Sequence, residues 1–237
     1  MKSKIVAVTL LALMLPATAQ AEEEEKIKDI FKSLYKTFGK DCSTEVKIVS
    51  EPEEVEMRNG RVKGKRWFAT CGKYRFKITI QDETEFKLDR VVEMLEKIPF
   101  PYIRACEAVS DETEDGIAIY AYLGGAGAHG GKSYINMVPR GNALMIAHEM
   151  GHTLEQVARE ADPEILNTWE EAIKTDKISV SSYGDKVRHE DLAEFAQVYA
   201  VCLGAGEESL AKLKKLSPTR YELWEEMLED PDVDDSK

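Results

Sequence analysis

The chain has 237 residues, 32 of them Lys or Arg against 44 Asp or Glu, for a formal charge of −12. That balance disfavours nucleic acid and anionic membrane as partners, and long-range steering favours neutral or basic polypeptides.

Residues 1–21 read as an export signal. Lys2 and Lys4 form a basic start, Ile5 to Leu15 an apolar core too short to span a bilayer, and Ala19-Gln20-Ala21 a small-x-small cleavage site. Removing them takes away only Lys2 and Lys4 among charged residues, moving the charge to −14 and leaving 216 residues, enough for one sizeable core or two small lobes. No second membrane segment is present in the sequence, so the mature protein is expected to be secreted or periplasmic, with no membrane attachment after cleavage. Cys42, Cys71, Cys106 and Cys202 are even in number and bound for an oxidising compartment, which predicts two disulfides. Cys42 with Cys71 is the preferred pair because both lie in the first half.

Residues 22–100 are expected to form an amino-terminal lobe serving as scaffold or substrate recognition. Glu24 to Phe38 has helical periodicity and ends at Gly39, and a β-meander follows from Val46 to Ile80 with turns at Asn59-Gly60 and Cys71-Gly72. Leu88 to Ile98 returns to helical spacing, stopped by Pro99 and Pro101. Residues 101–229 are expected to hold the chemistry, and 230–237 an acidic tail. Ile117–Leu123 and Tyr134–Val138 read as strands around a glycine loop at 124–131 that carries His129, whose role stays open. Gly131-Lys132-Ser133 nearly completes a phosphate-binding loop, but Ala126 replaces its first glycine and a strand follows where a helix is required. A strand just before the next helix could instead pair with an extended peptide.

That helix, predicted over 141–158 with Asn142 as cap, contains His148-Glu149-Met150-Gly151-His152. Histidines at i and i+4 share one face, so both reach one metal ion while Glu149, about 100° around, borders the same site. This is zinc-hydrolase spacing: His148 and His152 as ligands, Glu149 as general base. Asp162-Pro163 then opens a helix through Lys174, Val187–Leu203 forms another, and Ser217-Pro218 starts a last one.

A catalytic zinc site needs a third protein ligand. In the helix from Val187, the apolar stripe is Leu192, Phe195, Ala196, Tyr199 and Leu203; Glu190 and Glu194 fall nearly opposite, among valines, while His189 and Asp191 point to either side. Phase therefore selects Glu190 as the third ligand and Glu194 as the partner that orients a ligand histidine. The His-Glu-x-Gly-His run, Ser182-Tyr183-Gly184, and Glu190 seven residues past the tyrosine together resemble the family of the anthrax lethal factor catalytic domain and the secreted Pro-Pro endopeptidases. Leu123-Gly124-Gly125 with Tyr134-Ile135-Asn136, and Ser217 to Tyr221, are similar to the same family, so the resemblance covers roughly 117–228.

The resemblance implies an α+β, zincin-like metallopeptidase: a small mixed or antiparallel sheet, an active-site helix and a helical carboxy-terminal lobe, here preceded by a helix and meander. It implies Glu190 as zinc ligand and Tyr183 as stabiliser of the transition state. Asp191 and Leu192 replace the family's paired phenylalanines, and the meander has no counterpart in it, so Pro-Pro specificity does not carry over. The expected function is a zinc-dependent endopeptidase acting on polypeptides. The alternative is a non-catalytic zincin-fold module, or a toxin-like effector, that captures a protein partner.

Overall fold

The expected amino-terminal helix is cut short. In the computed structural model, which describes residues 25–40, 42, 44–58 and 60–229, helix α1 spans only Ile27–Ile30, and a 3-10 turn follows at Leu34–Lys36. So short a helix cannot hold itself in water. It is held by tertiary contact: the Ile27 and Lys28 N–H groups donate to Ser179 and Val180 carbonyls at 2.9 and 3.0 Å, and Ile27 and Phe31 are buried. The export signal at 1–21 and the tail at 230–237 lie outside the described residues. Among those described, no helix is long and apolar enough to cross a membrane.

Strands β1 (Lys47–Ile48), β2 (Glu53–Met57), β3 (Val62–Cys71) and β4 (Tyr74–Gln81) form the meander, with β1 and β2 pairing antiparallel to successive stretches of β3 and β4 on its other side. After α2 (Leu88–Leu95) and α3 (Arg104–Glu112) come β5 (Ile117–Ile119), β6 (Ala128–Gly131) and β7 (Tyr134–Met137). The sheet is continuous across residue 100, because β5 pairs parallel with β4, β7 parallel with β5, and β6 antiparallel with β7 at the edge. Alternation places Ile78, Ile117 and Ile135, then Ile80, Ile119 and Met137, in two cross-strand rows that belong to the main apolar cluster. The opposite face carries a small cluster of Met57, Ala118, Tyr120, Leu123 and Val138.

The helical half consists of α4 (Ala143–Ala161), α5 (Ile165–Asp176), α6 (Arg188–Ala205), α7 (Glu207–Leu216) and α8 (Pro218–Leu228). Asn142 caps α4, its Oδ1 accepting the Met145 N–H at 3.1 Å, and Pro218 occupies the first turn of α8. Helix α6 is buried continuously from Asp191 to Cys202, packed against α4 on one side and α7 on another. The described residues thus make an α+β fold with a seven-stranded mixed sheet.

Two expectations are corrected. Half of the glycine loop is strand β6, and among the described residues β6 rather than the strand before α4 ends the sheet, since β7 is flanked on both sides. Neither of the two expected disulfides forms among the described residues, the preferred Cys42–Cys71 pair included: Cys71, Cys106 and Cys202 are buried thiols of the main apolar cluster, where they pack as small hydrophobes. Burial pushes the Cys202 thiol up to about 12.

Candidate metal centre

Helix α4 presents His148, Glu149 and His152 because its residues around them (Ala147, Met150, Gly151 and Leu154) are buried and fix its rotation. Its neighbour α6 can come close because position 151 is glycine: a Cβ there would stand 2.7 Å from Ala196 Cβ and 3.1 Å from Ala193 Cα. Gln197 ties the two helices by donating to the Leu144 carbonyl at 2.8 Å. This close approach carries Glu190 to the histidines.

Glu190 Oε2 is buried, makes no hydrogen bond, and lies 3.4 Å from His148 Nε2 and 3.6 Å from His152 Nε2. Ligand atoms around a tetrahedral ion at about 2.0–2.2 Å stand roughly 3.3–3.6 Å apart, and the two separations from Glu190 match that spacing. His148, His152 and Glu190 could therefore hold a metal ion. One turn along α6, Glu194 Oε1 lies 3.3 Å from His148 Nδ1, which leaves Nε2 directed at Glu190. The same ring is thus gripped by two carboxylates four residues apart.

Electrostatics favour positive charge where the donors meet. Burial lowers the His148 pKa, but its contacts with Glu190 and Glu194 more than offset this and raise it to about 9. Burial and the nearby His148 charge lower His152 to about 4, so it stays a neutral donor. Burial is also the main force raising the Glu149 carboxyl to about 7; Glu190 adds to it, and His148 and the Gly130 backbone oppose it.

The three candidate ligands and Glu149 line a cleft of about 450 Å³ with His129, Gly130, Tyr134, Gln156, Tyr183 and His189. Strand β6 lies directly on α4: a Cβ on Gly130 would meet the Glu149 carbonyl oxygen at 2.4 Å, so only glycine permits this approach. Tyr183 sits half-exposed at the rim, its ring 6.2 Å from that of His148, and burial together with the Glu190 charge raises its pKa.

The other residues of the α6 start go elsewhere. Asp191 is buried away from the cleft, accepting from Trp169 Nε1 at 2.9 Å and from Arg220 Nη1 at 3.0 and 3.2 Å. His189 is half-exposed at the cleft, its Nε2 3.8 Å from Glu190 Oε1. Sequence reasoning missed Gln156 and Tyr134. Gln156 had a signal, since it continues the His148–His152 face by one more turn; Tyr134 had none beyond its place in a strand. Comparison of the chain with protein-family models, with curated proteins and with solved structures gives no match, so the centre is read from its own residues and distances.

Proposed function

We propose that this protein is an exported zinc-dependent endopeptidase of the zincin kind, akin to the lethal factor and Pro-Pro endopeptidase family that its motifs resemble. One observation carries the reading: His148, His152 and Glu190 converge on a point beside the buried Glu149 carboxylate, beneath the free edge of β6. A passive metal site has no need of Glu149.

Two imidazoles, one carboxylate and an open side toward a cleft suit zinc, which when bound supplies Lewis acidity and a water whose pKa falls toward about 7. Glu149 takes a proton from the water that adds to the peptide carbonyl and later gives it to the departing nitrogen, so one new carboxyl and one new amine result. Tyr183 donates from the rim to the oxygen on which negative charge develops. Among the described residues no strand pairs with the outer side of β6, which presents its backbone to an extended peptide, with His129 and Tyr134 beside it.

The test is a peptide-library digest by the purified protein beside its Glu149→Ala variant, with zinc content measured for both. Cleavage by the first alone, at equal zinc, is expected. Identical product profiles sink the peptidase reading, and bound zinc without cleavage by either favours a protein-capturing module.

A further inference from the structure

The segment just after the expected export signal reaches the back of the metal centre. Lys28 Nζ lies 2.7 Å from Glu194 Oε2, while the other oxygen of that carboxylate lies 3.3 Å from His148 Nδ1. The carboxylate is only 6% exposed and the lysine 33%. Three carboxylates, Glu149, Glu190 and Glu194, act on His148, and Lys28 brings a cation from outside α4 and α6 onto one of them. The segment is anchored rather than draped: Ile27 is buried, the Ile27 and Lys28 N–H groups donate to Ser179 and Val180 carbonyls, and Lys26 pairs with Asp185 at 2.8 Å.

We propose that Lys28 is a positioning residue of the metal centre: it holds Glu194 so that the carboxylate fixes the His148 ring with Nε2 toward the metal. This rests on the metal-binding reading of His148, His152 and Glu190. Without Lys28, the short contact at Oε2 is lost and the Ser181 contact alone opposes repulsion from Glu149 and Glu190, so the Glu194 carboxylate turns outward and His148 loses the partner that orients it. A purely electrostatic role has the opposite sign, because deleting a cation strengthens the attraction for a divalent ion. Metal affinity therefore separates positioning from field.

The experiment compares zinc dissociation constants, by competition with a chelating dye, for the wild type, Lys28→Met, Lys28→Gln, Lys28→Arg and Lys26→Met, with thermal midpoints of the metal-free proteins as the check on folding. Lys26→Met breaks an ion pair on the same segment without touching Glu194. Loss of an outer partner of a ligand histidine costs roughly 10–100-fold in affinity, and Lys28, one step further out, is expected to cost about tenfold. Lys28→Arg should restore most of it, Lys26→Met should leave affinity unchanged, and in a Glu194→Gln background Lys28→Met should add nothing. Unchanged or tighter zinc binding by Lys28→Met and Lys28→Gln overturns the proposal, as does an equal loss in Lys26→Met. A wild type that binds no zinc refutes the metal reading itself.

Discussion

Glu190 and Asp191 are adjacent carboxylates about 100° apart on one helix, and they should fail in opposite ways. Asp191→Ala removes the acceptor for Trp169 Nε1 and for one arm of Arg220, whose side chain is fully buried. Breaking a buried ion pair costs about 3–5 kcal/mol, and an orphaned buried donor about 1–3 kcal/mol. Asp176 still faces Arg220 at 3.3 Å, and the Ile178 carbonyl still accepts from its Nη2, so the lower end applies. Burial already holds the Asp191 carboxyl above its ordinary range despite Arg220, so the pair adds little net stability even though breaking it is costly. We expect a loss of about 3 kcal/mol, or roughly 6–12 °C in thermal midpoint for a domain of this size, with zinc affinity changed much less. Glu190→Ala should instead weaken zinc binding by more than the roughly 10–100-fold carried by outer partners. Urea unfolding of the metal-free proteins and chelator competition measure the two quantities. If Asp191→Ala loses zinc at unchanged stability while Glu190→Ala keeps it, the assignment of Glu190 is refuted.

Tyr183→Phe should lower kcat about 100-fold or more, the worth of one oxyanion donor at roughly 3 kcal/mol, with zinc content unchanged; an unaltered kcat makes Tyr183 a packing residue. Gly151→Ala forces α6 away from α4, and should cost about 1–3 kcal/mol in urea unfolding and weaken zinc binding, whereas wild-type values in both assays contradict the close-packing argument. Burial alone would raise the Glu194 pKa, yet contacts with His148, Lys28 and Ser181 hold it down to about 2. A depressed carboxylate contributes stability that is present above its unfolded pKa near 4.5 and lost as pH falls toward 2. The stability gap between metal-free wild type and Glu194→Gln should therefore narrow across that window, and a gap that stays constant from pH 5 to 2.5 counts against it.

What the sequence determined by itself is the local part. Asn142 before an apolar-periodic run starts α4, i and i+4 spacing puts His148 and His152 on one face, and helical phase alone separates Glu190 and Glu194 from Asp191. Hydrogen bonding within a few residues sets those relations, so they need no knowledge of the rest of the chain. Tertiary structure decided which edge is free, where the cysteines go and what stands behind the ligands. The second half of the glycine loop becomes strand β6 because β7 pairs with it on one side and α4 lies against Gly130 on the other. Cys71, the last residue of β3, packs as a thiol in the main apolar cluster, a placement that cysteine count and spacing do not encode. Lys28 meets Glu194 across 166 positions of sequence, a contact that no periodicity encodes. It exists because α1 is anchored to Ser179 and Val180 while α6 passes behind α4, and both depend on how the whole core packs.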